Sequence, residues 1–168
     1  MPVRDSSIGK VAPVKRLSVR DRWQATARNR LRVELAGLAF ATRHGHAPEE
    51  YAREIWGRGA KTFMGKDNPR ALEYLLKEAR AIAMFYPWVK ASARRVAARR
   101  GEMVIADGCL AGWGDDRWAI ARGLGLTREE VCRYCNEAFR VWGEQLGLDV
   151  SLTPQPDDTC VLSAAEKE

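Results

Sequence analysis

The sequence predicts an α+β fold in which helices pack on a small, largely antiparallel sheet. Apolar residues recur at helical spacing through the first half of the chain, whereas short apolar runs bounded by turn residues fill much of the second half. With 168 residues, 46% of them hydrophobic, the chain can bury one core. We therefore expect a flexible arm over 1–17 and a single domain over 18–168. In that domain three N-terminal helices and a later cysteine-bearing helix cover the sheet.

Helix signals mark three segments of the first half. Ser18 suits an N-cap and precedes a long apolar stripe. Pro48 suits the first turn of a second helix, which fades by Gly65. Asn68 begins a third segment, and Pro87 ends it because proline cannot continue a helix.

The second half is expected to contain two pairs of strands around a helix. We predict a β-hairpin with 89–99 paired to 102–109 through a tight turn at 100–101. A short helix follows the next acidic pair, and then Thr127 and Glu130 form a capping box that opens the cysteine-bearing helix. The segments "LDVSL" and "TCVLSA" flank a proline-containing turn and predict the second pair of strands.

Composition narrows the class of protein. The longest apolar runs are too short to span a bilayer, and the N-terminal segment lacks the apolar stretch of a secretory signal, so we expect a cytoplasmic protein with reduced thiols. The net charge of +6 comes from an arginine excess. Nucleic acid is not expected as a partner, because the basic clusters accompany no recognition motif. A small-molecule ligand, a protein partner or a homo-oligomer is compatible with this composition.

The four cysteines are the main candidates for chemistry. Cys132 and Cys135 lie one turn apart on the same face of the predicted helix. Cys109 ends one predicted strand and Cys160 begins another, so all four thiols can converge. Three roles stay open: a four-thiolate metal site holding zinc or iron, a reactive thiol whose pKa is lowered near a helix N-terminus, and plain packing of small apolar side chains.

Other residues near the cysteines allow two interpretations each. His44 and His46 fit the C-terminus of the first helix, and one of them would be needed for a Cys–His dyad. Nearby carboxylates can act as a general base or as helix caps; they are Asp107, Asp115, Asp116, Glu129, Glu130 and Glu137. Aromatic side chains can line a pocket or fill the core; they are Trp113, Trp118, Tyr134, Phe139 and Trp142.

The order of "MVIADGCLAGWGDDRWAIARGLGL", "EEVCRYCNEAFRVWGEQLGLDVSL" and "DDTCVL" resembles that of L-2-amino-thiazoline-4-carboxylic acid hydrolase-like proteins over roughly 47–165. The resemblance places Cys109, Cys132 and Cys160 at the three cysteine positions of that family. It implies a hydrolase that opens a cyclic C–N bond in a small thiazoline-type substrate, with arginine binding the substrate carboxylate. Asp157 and Asp158 depart from the turn expected there. The layout is also similar to ligand-binding domains of the vinyl-reductase type.

Three functional hypotheses follow, of which the last is a small interaction protein whose basic face docks on a partner. The first is a hydrolase with Cys132, Cys109 and Cys160 as catalytic residues. The second is a non-catalytic small-molecule- or metal-binding module, or an accessory subunit of a larger complex, in which Cys109, Cys132, Cys135 and Cys160 are the candidate metal ligands.

Overall fold

A computed structural model describes residues 16–106, 109, 110, 112 and 118–167. The predicted arm at 1–17 thus lies almost wholly outside the described residues. Within them the chain forms six helices, whose bounds are α1 Val19–Arg43, α2 Pro48–Trp56, α3 Ala60–Met64, α4 Ala71–Phe85, α5 Ala119–Gly123 and α6 Arg128–Glu144. It also forms four strands, which are β1 Lys90–Ala97, β2 Arg100–Ala106, β3 Leu148–Pro154 and β4 Cys160–Glu166. The predicted α+β class is confirmed.

The four strands form one antiparallel sheet in the order β1-β2-β4-β3. Each outer pair is a hairpin, and β2 pairs with β4 in the middle, with Ile105 opposite Cys160. Alternate residues of the three strands β2, β3 and β4 are buried, because successive side chains of a strand point to opposite faces. One face of the sheet therefore belongs to the core.

Two helices, α4 and α6, cover that face of the sheet, and the remaining helices pack mainly outside them. Helix α4 packs against β1, β2 and β4, and α6 packs against β3. Helix α2 lies against α6 and also contacts α1. The buried apolar residues accordingly form two clusters, one between the sheet and α4, the other among α1, α2, α5 and the first turns of α6. No helix of the described residues is both long enough and apolar enough to cross a membrane.

The local signals at the helix ends are confirmed. The Ser18 hydroxyl accepts a hydrogen bond from the Asp21 N–H, and Thr127 and Glu130 form the predicted capping box. His44 caps the C-terminus of α1, and its ring nitrogen Nδ1 lies 2.8 Å from the Phe40 carbonyl oxygen.

Two boundaries differ from the prediction. The second predicted helix is interrupted between α2 and α3, where Gly59 has a φ of +98°, so four helices rather than three precede the sheet. The turn of the first hairpin lies at 98–99, and Gly101 belongs to β2 opposite Arg95. A Cβ atom at Gly101 would lie 2.7 Å from Leu75 Cδ1. Gly101 therefore allows the close approach of α4 to the sheet. It is not the turn residue that the sequence predicted, because the reason for a glycine at this position is packing and not a turn.

Candidate functional site

A cavity lined mainly by apolar side chains lies among the helices and is larger than the one at the cysteines. Its volume is about 280 Å³, near the lower end for small-molecule sites. Most of its lining is aliphatic or aromatic. A few polar groups interrupt this lining, contributed by Arg30, Glu34, Glu78, Tyr86, Tyr134 and Cys135. This mixture of an apolar wall and a few polar groups is typical of a ligand-binding pocket.

Helical periodicity explains how the chain lines this cavity. On α4 the lining residues are spaced by three and four positions, which places them on one face of the helix; they are Glu78, Ala81, Ile82 and Phe85. On α6 the same spacing extends over three turns; these residues are Val131, Tyr134, Cys135, Ala138, Phe139 and Trp142. Helix α1 closes the cavity with two adjacent pairs, Arg30–Leu31 and Glu34–Leu35, while Trp56 and Phe63 complete the wall.

One group of polar side chains in the lining consists of an ion pair and a tyrosine. An Arg30 guanidinium nitrogen lies 3.9 Å from Glu34 Oε2, and the guanidinium stacks over the Phe85 ring with its carbon 4.3 Å from the ring centroid. The Tyr134 hydroxyl donates to Glu34 Oε1 at 2.8 Å and accepts from the Trp56 indole N–H at 2.8 Å. Burial raises the pKa of Tyr134, with the Glu34 charge contributing, so its hydroxyl keeps its proton. These contacts join α1, α2 and α6.

The second polar group in the lining is a buried carboxyl group. Glu78 is 7% exposed, and burial raises the pKa of its carboxyl to about 7. Trp142 and Tyr74 lie close enough to offset part of this rise in pKa. Neither Glu78 Oε1 nor the Tyr74 hydroxyl oxygen, however, has a hydrogen-bonding partner among the described residues. One oxygen of the Glu78 carboxyl, Oε1, is therefore a buried polar atom without a hydrogen-bonding partner among the described residues, although Trp142 and Tyr74 lie beside the group.

The four cysteines meet around a second, much smaller cavity. Its volume is about 10 Å³, room for at most one water molecule. Its lining includes Cys109, Cys132, Cys135 and Cys160. The predicted convergence of the thiols is thus found, although β2 ends at Ala106 and Cys109 follows it in the next segment. Cys135 lines both cavities.

The electrostatics of these thiols differ from the expectation. Burial raises the pKa of Cys132 despite the opposing effect of Arg128, and burial raises the pKa of Cys160 to about 12. The pKa of Cys135 is also well above its ordinary value, because the thiol is buried and the other three thiols lie nearby. The predicted lowering of the Cys132 pKa was therefore wrong, since desolvation outweighs the helix N-terminus and the arginine.

None of the four cysteines is in a disulfide. Among the described residues no three His, Cys, Asp or Glu side chains are arranged to hold a metal ion. The predicted zinc or iron site has no counterpart in that part of the chain and stays a prediction. The two histidines lie at the end of α1 and beyond it, where His46 faces Glu50 at 3.5 Å.

A carboxylate cluster on the outer side of α6 has a structural role. Glu137 accepts hydrogen bonds from Arg53 at 2.5 Å and from Arg140 at 2.6 and 2.7 Å. These interactions, led by the bond from Arg140, hold the pKa of Glu137 below its ordinary value. On the same side, Arg133 makes a bidentate pair with Glu49. Glu137 and Glu49 therefore fasten α2 to α6 and do not line the cavity.

Sequence reasoning found part of this site. Tyr134, Phe139 and Trp142 were candidates for a pocket lining and do line the cavity. Glu78 was missed, although one signal was present: it lies three residues after Leu75 and four before Ile82, within the stripe that α4 buries. Arg30 gave no signal, because a single arginine on a long charged helix reads as a solvated residue.

The comparisons add no relative. No protein-family model matches the chain, and no curated protein matches it in sequence. The resemblance to the thiazoline hydrolase-like proteins therefore stays a prediction from the cysteine spacing.

Proposed function

We propose that this protein is a small-molecule-binding module that takes a largely apolar organic ligand into the cavity among α1, α2, α4 and α6. The observation that carries the proposal is the cavity itself, with about 280 Å³ of space, an aromatic and aliphatic wall, and few polar groups. Binding of an apolar ligand to such a wall is favourable, because apolar surface of both is removed from water. The polar groups of the wall then orient the ligand.

Binding without catalysis agrees with the state of the polar groups. The lining thiol of Cys135 keeps its proton, because its pKa is well above its ordinary value. A nucleophilic cysteine requires the thiolate, and none of the thiols with a raised pKa provides it near neutral pH. The carboxylate of Glu34 is already occupied by Arg30 and Tyr134.

The experiment uses the neutral fluorescent amine N-phenyl-1-naphthylamine, whose emission rises in an apolar environment. We expect saturable binding at one site per chain. An Ala81→Trp substitution fills the cavity from α4 and should weaken binding at least about tenfold. Ala83→Trp is the matched control, because Ala83 lies two residues further on the same helix and is exposed. Absence of saturable binding, or equal binding by both variants, would contradict the proposal.

Hydrolysis through a cysteine is a second candidate, favoured by one observation. The Cys135 side chain lines the ligand cavity as well as the thiol cavity, so a bound molecule would contact it. The small cavity that Cys109, Cys132 and Cys160 share has no room for a thiazoline ring. Release of product from 2-amino-thiazoline-4-carboxylate, lost in Cys135→Ser but kept in Cys132→Ser, would support hydrolysis at this position. Absence of any turnover would reject it.

A further inference from the structure

We propose that the ligand of this cavity is an organic cation, with an ammonium group beside Glu78 and an apolar body extending toward Phe85. This inference rests on the proposed binding function and specifies the class of ligand. It follows from the charges in the lining, the unsatisfied carboxyl group, the surrounding aromatic rings and the length of the cavity.

The cavity lining has more acidic than basic groups, although the whole chain carries a net charge of +6. Among the described lining residues there are two carboxyl groups, those of Glu34 and Glu78, and one cationic group, that of Arg30. Arg30 already pairs with Glu34 and stacks on Phe85. This arrangement leaves no unengaged cation among those residues to attract an anionic ligand, and it leaves Glu78 without a countercharge.

Glu78 is the group that needs a partner. Tyr74 and Trp142 lie beside its carboxyl, yet its Oε1 atom and the Tyr74 hydroxyl oxygen are both buried without a hydrogen bond of good geometry among the described residues. Buried polar atoms without partners are rare in folded proteins and call for a bound group. An ammonium carries donors only, so it satisfies a carboxylate oxygen and can also donate to the tyrosine hydroxyl oxygen.

Aromatic rings pack around Glu78. Trp142 interacts with the Glu78 carboxyl and contacts Trp56 edge-on with ring centroids 5.5 Å apart and Phe63 with centroids 5.7 Å apart. All three rings line the cavity, and Lys77 Nζ lies 5.2 Å from the Phe63 ring centroid. The rings make the surroundings of the carboxyl apolar, and opposite charges attract more strongly in such surroundings than in water. The carboxylate therefore favours a cation over a neutral group of the same shape.

The spacing along α4 sets the size of the ligand body. Phe85 lies seven positions after Glu78, two helical turns that extend about 10 Å. Ala81 and Ile82 lie between them on the same face and leave an apolar wall. A phenylbutyl chain has a suitable length for this space.

The test compares three probes that share a phenylbutyl body: 4-phenylbutylammonium, 4-phenylbutanol and 4-phenylbutyrate. Their affinities are measured by isothermal titration calorimetry at pH 8, above the pKa of about 7 of Glu78. We expect the ammonium to bind at least about tenfold more tightly than the alcohol, and the carboxylate to bind most weakly. In Glu78→Gln the ammonium should lose this advantage while the alcohol still binds. Glu54→Gln, a change at an exposed carboxylate of α2, should leave all three affinities unchanged.

The outcomes separate the two proposals. If the alcohol or the carboxylate binds the wild-type protein as tightly as the ammonium, the cation inference is overturned while the binding function stands. If none of these probes binds, and N-phenyl-1-naphthylamine does not bind either, the binding function itself fails. The ranking of the probes on the wild-type protein decides the question even if Glu78→Gln does not fold.

Discussion

Glu78 on α4 and Glu137 on α6 are the two charged side chains that the described part of the chain buries almost completely, at 7% and 6% exposure. Their pKa values nevertheless move in opposite directions. Burial raises the pKa of Glu78 to about 7, because no cation faces it. Two guanidinium groups, from Arg140 and Arg53, lower the pKa of Glu137.

This difference distinguishes a carboxyl group that can bind a ligand from one that holds two helices together. Glu137 is fully partnered, and its contacts fasten one helix to another. Glu78 lines the cavity and has an oxygen that the described residues leave without a partner. The partners of a buried charge offset its desolvation, so that removing one of them destabilises the fold. A buried polar atom without a partner lowers stability and indicates a place for a ligand.

The largest expected effect is that of Glu78→Gln on stability. The carboxyl ionises near 4.5 in the unfolded chain and near 7 in the folded one, so the folded state binds more protons between these values and wild-type stability falls as the pH rises. This difference in pKa corresponds to about 3 kcal/mol. We expect the variant to match the wild type at pH 4 and to exceed it by about that amount at pH 8, in urea unfolding. An equal loss of stability with pH in both proteins would show that Glu78 is not the group responsible.

The same substitution at Glu137 should have the opposite sign. Glu137→Gln removes charge-assisted hydrogen bonds and should lower the free energy of unfolding by about 2 kcal/mol at pH 7. Because the folded pKa lies below its ordinary value, this stabilisation is present above pH 4.5 and is lost as the pH falls through the folded value. The gap between the proteins should therefore close in acid, as measured by urea unfolding. Glu129→Gln, an exposed change on the same helix, is the control and should have little effect.

The smallest effect concerns Trp142. Its interaction with Glu78 lowers the pKa of that carboxyl, so Trp142→Phe should raise the pKa by about half a unit. The pKa can be followed by the carbon NMR signal of the labelled Glu78 carboxyl group. Trp88→Phe is a control, because Trp88 donates to the Cys109 carbonyl oxygen and is not among the described lining residues. A pKa of Glu78 that does not change in Trp142→Phe would mean that burial alone sets it.

Much of the fold was predictable because its signals are local. The cap at Ser18, the capping box at Thr127 and the stop at Pro87 depend on residues within a few positions of one another. Gly101 was misassigned because its role depends on Leu75, twenty-six residues earlier, and not on its neighbours in the chain. Leu76 on α4 is apolar yet 43% exposed, since the direction from which the sheet covers the helix is not encoded locally.

The candidate site was less predictable than the fold. The cysteines were the main candidates for chemistry because thiols can be nucleophiles or metal ligands. They do converge, but the cavity between them has a volume of only about 10 Å³. The larger cavity is built from aromatic residues that fit a core equally well and from Glu78, an acid among apolar neighbours. Whether such a residue is solvated, paired or unsatisfied depends on what the other helices place beside it.

Local sequence signals were enough to predict the fold class, most helix ends and the presence of two hairpins, because capping, turn chemistry and apolar periodicity act over a few residues. The break between α2 and α3 and the position of the first hairpin turn were not predicted. The sequence also determined that the four thiols could meet, through their positions at strand ends and on one face of α6. The packing of distant segments places two arginines beside Glu137 and, among the described residues, no cation beside Glu78. It also buries the thiols and so raises their pKa values. The physical reason is that charge state depends on desolvation and on partners from distant segments, which only packing brings together.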